Sequence, residues 1–152
     1  MTRRILLDAG PLGMVANPRA NRAAAKWFKS MLEADCEVML PEIADYEVRR
    51  NLILEGLTDT VRRLDELKKV LAYLPIDTAT MIQAANFWAE ARRRRKPTAD
   101  KHALDGDAIL AAQATLAGGE VATDNVGHLG QFVETRDWRK MGFRRNGNDA
   151  AT

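Results

Sequence analysis

Short apolar runs that stop at acidic or turn-forming residues alternate with longer stretches of helical periodicity, and this alternation narrows the fold more than any other feature. Ile5-Leu6-Leu7 is a continuous apolar run broken by Asp8-Ala9-Gly10-Pro11, the pattern of a strand buried on both faces that ends at a turn. Cys36 to Leu40, closed by Pro41, reads the same way, and Glu120 to Thr123 reads as a further strand. Leu74-Pro75-Ile76 supplies a short strand and Phe132-Val133 a last edge strand. Between residues 20 and 33, Ala24, Trp27, Phe28 and Met31 recur at i, i+3, i+4 and i+7, the inward stripe of an amphipathic helix. Helices follow over 42–54, stopped by Gly56, and over 59–72, with Val61, Leu64, Leu67 and Leu71 on one side. Thr78 is the expected N-cap of the next, whose Met81, Ala85 and Trp88 face inward and which ends near Pro97. After a polar connection over 97–104, Asp105 is expected to cap a helix that runs to Leu116 and stops at Gly118-Gly119. Strands and helices in this order predict an α/β domain with a mostly parallel sheet covered on both faces.

At 152 residues and 46% hydrophobic content, the chain matches one compact domain, residues 1–145, followed by a flexible tail from Asn146 to Thr152. Its apolar runs fall far short of the roughly 20 residues a membrane span needs, and Arg3-Arg4 lead into too short a run for a signal peptide. A cytoplasmic protein is expected. Cys36 is the single cysteine and His102 and His128 the two histidines, so a bound metal would be held by oxygen. The net charge of +2 does not itself imply nucleic-acid binding, but its distribution is uneven: Arg92-Arg93-Arg94-Arg95-Lys96 is a solid basic run. A solvated helix C-terminus, where cations complement the dipole, explains that run equally well.

In open parallel sheets ligands bind beyond the carboxyl ends of the strands, so acids at those ends are candidates for one shared site. Asp8 follows the first strand, and Asp124 and Asn125 follow a later one. Glu47 lies mid-helix on a face that also carries Ile43 and Leu54; a salt bridge with Arg50 is its ordinary explanation. Asp105 and Asp107 both stand at an expected helix start, where an acid needs no further purpose; Asp107, one step inside, is the better candidate ligand. Carboxylates gathered closely repel one another unless a cation compensates them. A hard divalent ion does so, and Mg²⁺ in particular takes few carboxylates, keeps several waters and binds phosphate oxygens.

Taken in order, Leu6-Leu7-Asp8-Ala9-Gly10, Glu47 after Pro41, Asp107-Ala108-Ile109-Leu110-Ala111-Ala112-Gln113-Ala114 and Thr123-Asp124-Asn125 resemble the acidic motifs of PIN-domain nucleases. The likeness is closest to VapC-like toxins of bacterial toxin–antitoxin pairs and spans Arg4 to about Trp138. The resemblance implies a three-layer α/β/α sandwich, usually a homodimer, that cleaves RNA with Mg²⁺ or Mn²⁺ and is held inactive by an antitoxin protein. It assigns Asp8, Glu47 and Asp107 as metal-binding acids, supported by Thr123 and Asn125. Asn125 departs from the pattern, since many members carry Asp there, and Asp105 and Asp124 stand as substitute donors.

The expected chemistry is metal-assisted attack of water on a phosphodiester, with Thr123 or Asn125 orienting the water. Arg49, Arg50 and the run Arg92 to Lys96 would grip flanking RNA phosphates. Phosphoryl transfer through an aspartyl intermediate at Asp8 is the rival chemistry; it asks for a second acid two residues on, where this chain has Gly10. The same residues are compatible with a catalytically silent PIN-like module that binds RNA or protein, and with a processing nuclease that is no toxin. Trp138 is expected to pack in the core or at a dimer contact rather than stack on bases.

Overall fold

Alternation within the strands builds two cores at once. A computed structural model describes residues 2–94 and 101–143, of which 101–103 and 128 are described by backbone alone. Strand β1 (Arg3–Leu7) sends Ile5 and Leu7 to one face of the sheet and Leu6 to the other, all three fully buried. Strand β2 (Cys36–Pro41) does the same with Val38 and Leu40 against Met39. At about 1.5–3 kcal/mol for each large apolar side chain buried, both faces must be covered. Helices cover both.

On the first face lie α1 (Ala9–Val15), α2 (Arg22–Glu33), α3 (Glu42–Leu54) and α4 (Thr58–Val70), contributing Leu12, Trp27, Phe28, Met31, Val48 and Leu64 to one cluster. On the second lie α6 (Lys101–Ala117), with Leu110, Ala111 and Ala114, and α5 (Thr78–Arg93), which packs Ala84 on Ala108 and Ala112 of α6. Strands β3 (Ala72–Leu74), β4 (Glu120–Thr123) and β5 (Thr135–Asp137) complete a parallel sheet in the order β3-β2-β1-β4-β5. The chain thus builds outward from β1 to β3, crosses the other face through α5 and α6, and returns on the far side of β1. The order reverses between β1 and β4, and a crevice opens at such a reversal beyond the carboxyl ends of the strands. This is the expected three-layer α/β/α sandwich. Among the described residues no helix is long and apolar enough to cross a membrane.

Several boundaries differ from expectation. Asp8 opens no loop: its side chain accepts the Ala9 amide at 2.7 Å and caps α1, a helix that the sequence hides because Gly10 and Pro11 look like a turn. Proline near a helix start loses no hydrogen bond, which is why α1 tolerates it. The short strand sits at Ala72–Leu74, ahead of Pro75, and α4 is Thr58–Val70. The α5 cap is Asp77, one residue before Thr78, with its carboxylate on the Thr80 amide at 2.8 Å. Phe132 and Val133 form no strand; they pack against the second cluster, and the edge strand is Thr135–Asp137. Met81 and Trp88 of α5 are exposed, while Thr80, Ala84 and Ala91 are buried: small residues let α5 lie close on α6, and the large ones border the groove between them. The end of the α5 helix near Pro97 and the tail from Asn146 lie outside the described residues.

Candidate active site

Register decides what meets at the carboxyl edge. Strands β1 and β4 pair Leu7 with Ala122, so Asp8 and Thr123 leave the sheet side by side. The Asp8 amide donates to the Ala122 carbonyl at 2.9 Å, and the Thr123 hydroxyl, 2% exposed, donates to Asp8 Oδ2 at 2.7 Å. Asp8 is therefore aimed from two sides, one oxygen on the Ala9 N–H and the other on the Thr123 hydroxyl. The Asn125 amide donates to Thr123 Oγ1 at 3.2 Å, while the Asn125 side chain lies against Gly127 in its own loop.

Glu47 reaches the same edge from α3. Ile43 packs into the second cluster and Ala44 and Val48 into the first, so the residue lying between those two faces of the helix points where the helical layers meet over the sheet. A side chain added at Gly106 of α6 would approach Glu47 Oε1 to 3.1 Å; glycine there leaves the carboxylate its room. Burial pushes the Glu47 carboxyl above its ordinary range, the charge of Asp8 pushes it further, Arg50 opposes, and Asp107 adds to the rise. Asp8 and Asp107, from two other elements, thus both act on Glu47.

Asp105 and Asp107 start no helix, because α6 begins at Lys101. Two residues apart on a helix they face different ways: Asp107 is half-buried and turned to Glu47, whereas Asp105 is exposed and borders the α5–α6 groove beside Met81 and Trp88. Asp124 accepts the Trp138 indole N–H at 2.6 Å. Of the basic residues, Arg49 bonds Asp45 at 2.9 Å and Asp65 at 2.8 Å, and Arg50 is exposed over the Tyr46 ring. Arg92 covers Trp88, Arg94 pairs with Glu90, and Arg93 is exposed; Arg95 and Lys96 lie outside the described residues.

Among the described residues no three acid, histidine or cysteine side chains stand close enough to hold an ion as they are. The donors nevertheless fit a hard divalent cation: they are oxygens only, they converge from three elements, and Glu47 is held at a cost that a positive charge would relieve.

A PIN domain family model matches residues 5–132. The chain belongs to the PIN domain family. Comparison with curated protein sequences gives no match. Among solved structures, this PIN domain resembles FitAcB from Neisseria gonorrhoeae at 25% identity, with a TM-score of 0.71 over 90% of this chain and 99% of that one. VapBC2 from Rickettsia felis, bound to a DNA fragment from its promoter, is 10% identical with a TM-score of 0.73, over 89% and 98% of the two chains. VapC20 from Mycobacterium tuberculosis, described as a sarcin-ricin loop cleaving toxin, is 18% identical with a TM-score of 0.63, over 88% and 99%.

Trp138 packs in the core, one of the two places expected of it; the residues that sequence reasoning passes over in this PIN domain are Gly106 and Gln113. Buried Gln113 donates to the Leu74 carbonyl at 2.7 Å and accepts from the Ile43 amide, tying α6 to the end of β3 and the first turn of α3. A glutamine in the middle of an apolar helix stripe is the one sequence signal that points to it.

Proposed function

We propose that this PIN domain is an endoribonuclease that hydrolyses RNA phosphodiester bonds with Mg²⁺ or Mn²⁺, and that it serves as the toxin of a toxin–antitoxin pair. The observation that carries the reading is the action of Asp8 and Asp107 on Glu47 near the topological switch point, with Glu47 half-buried among like charges. Such carboxylates suit an ion and would be costly without one. The neighbours' descriptions support the rest: a VapBC pair on promoter DNA and a toxin that cleaves the sarcin-ricin loop.

Asp8, Glu47 and Asp107 would hold the cation, which when bound offsets charge on the scissile phosphate and eases deprotonation of water. Ala9 and Thr123 keep Asp8 aimed, so the site is organised before substrate arrives. Thr123 and Asn125 border the edge where a water would be oriented. Arg50, Arg92 and Arg93 are exposed cations able to meet RNA phosphates, contacts that position the strand without reading its sequence. Arg49 is spent on Asp45 and Asp65, so in this reading it supports the fold first. An antitoxin and a second copy of the chain are the protein partners of the proposal.

The test is cleavage of mixed RNA by the purified protein and by Asp8→Asn, in Mg²⁺ or Mn²⁺ with and without EDTA. Metal-dependent cleavage lost in the variant is expected. Equal behaviour of two folded, RNA-binding proteins would instead favour the silent module, the reading that Asn125 in place of Asp speaks for. Co-expression with any short adjacent reading frame, followed by size-exclusion chromatography, checks the antitoxin and the homodimer.

A further inference from the structure

The register that seats Thr123 beside Asp8 also seats Trp138 beside Asp124. Strands β4 and β5 pair Thr123 with Asp137, so residues 124 and 138 leave the sheet as neighbours. The Trp138 indole N–H donates to Asp124 Oδ1 at 2.6 Å, and Arg139 donates to the Asp124 carbonyl at 2.8 Å. Trp138 is itself anchored, buried against Trp27 with ring centroids 5.4 Å apart. The other carboxylate oxygen, Oδ2, stands in the space that a side chain at Gly10 would fill, against the first turn of α1. Asp8 caps that same turn.

We infer that Asp124 is a positioning residue and not a substitute metal donor: clasped between Trp138 and Gly10, it fixes the crossing of β4 over α1 and thereby the contact of Thr123 with Asp8. The inference rests on the metal reading above. Asp124 is exposed, with Oδ1 on the indole N–H and Oδ2 in the place of a Gly10 side chain. An ion drawing on Oδ2 would have to pull the carboxylate away from Gly10, and one drawing on Oδ1 would compete with the indole donor. The absence of a side chain at position 10 is what admits the clasp, and Trp138 is the donor that holds it there. Partners that orient a liganding side chain typically change metal affinity by about 10–100-fold when removed.

Charge and geometry separate in two substitutions. Asp124→Asn keeps an oxygen for the indole N–H but loses the negative charge; Trp138→Phe keeps an aromatic ring but loses the donor. Gly10→Ala displaces the carboxylate without touching the aromatic core, in case Trp138→Phe fails to fold. Free Mn²⁺ is followed by electron paramagnetic resonance as each protein is titrated, with circular dichroism reporting folding in the absence of metal. Expected is a midpoint for Asp124→Asn within about threefold of wild type, and midpoints raised about tenfold or more for Trp138→Phe and Gly10→Ala while both remain folded. Loss of Mn²⁺ binding in Asp124→Asn to the extent seen in Asp8→Asn would make Asp124 a ligand and overturn the inference. Wild-type midpoints in both folded clasp variants would overturn it too. A wild type that binds no Mn²⁺ would bring down the metal reading itself, and the inference with it.

Discussion

Asp45 and Glu47 stand two residues apart on α3 and meet opposite fates, and the difference lies in what surrounds each carboxylate. Asp45 is 4% exposed and fully compensated, by Arg49 at 2.9 Å and Lys68 at 3.8 Å. Arg49→Met leaves buried Asp45 with Lys68 alone at 3.8 Å, and because breaking a buried pair outright costs about 3–5 kcal/mol, the loss should be a fraction of that and still lower the urea midpoint, whereas a purely RNA-binding Arg49 would leave stability unchanged. Glu47 has no such compensation: burial, Asp8 and Asp107 hold its pKa up against the opposing charge of Arg50. In metal-free protein the folded state therefore keeps the Glu47 proton to higher pH than the unfolded chain does. Stability falls as pH rises from the ordinary value of 4.5 through the raised one. Glu47→Gln in EDTA should remove that part of the slope, read as a smaller fall in Tm between about pH 4 and pH 8; an unchanged profile would mean the like charges do not act on Glu47. The acids themselves are legible as residues, since Asp8, Glu47 and Asp107 sit in ordered motifs. Their surroundings are not. That Asp45 is neutralised and Glu47 left among like charges depends on α4 bringing Asp65 and Lys68 to one side of α3, which no local pattern encodes.

At the scale of elements, periodicity finds the helices and mistakes some of their faces. In α2 every residue of the expected stripe is buried, because large apolar side chains on one face meet a sheet. In α5 the expected stripe is largely on the outside, because the partner is α6, whose Ala108 and Ala112 accept only small residues in close contact. The start of α6 is misleading for a related reason: Asp105 looks like a cap, yet the helix begins at Lys101. Strand β5 is hidden behind Phe132-Val133, whose apolarity serves the core rather than the sheet edge. With it is hidden the register that brings Trp138 to Asp124. The link from β3 to α5 rests on Glu42, which accepts the Tyr73 hydroxyl and the Ile76 amide, each at 2.8 Å. These bonds, that of Ile76 first, hold the Glu42 carboxyl below its ordinary range. The stabilisation is therefore present above pH 4.5 and lost as pH falls through the lowered value. Glu42→Gln should cost about 1 kcal/mol at neutral pH, a Tm lower by about 2–4 °C for a chain of this size, with the gap to wild type closing in acid. A gap that persists at low pH would assign the loss to packing instead.

For the whole molecule, the sandwich brings its two helical layers together at one edge, where Asp8 at the start of α1, Glu47 on α3 and Asp107 on α6 converge. An ion bound there would join the sheet to both layers, and the unfolded chain, whose acids are far apart, would bind it far less well. Folding and metal binding are then linked, and the linkage has a size. At a Mn²⁺ concentration about 100 times the dissociation constant the folded state gains about 2.7 kcal/mol, which for a domain of this length raises Tm by about 5–10 °C. EDTA should return the protein to its metal-free Tm. Asp8→Asn should abolish the Mn²⁺-dependent rise, and its metal-free Tm should not fall far, because one of three repelling charges has gone while the amide oxygen remains for the Ala9 N–H and the new amide N–H can donate to the Thr123 hydroxyl oxygen. Asp107→Asn should behave in the same way, through a different element. A Mn²⁺-dependent rise that survived both substitutions would place the ion elsewhere on the molecule, and the three acids would then have to be explained by the fold alone.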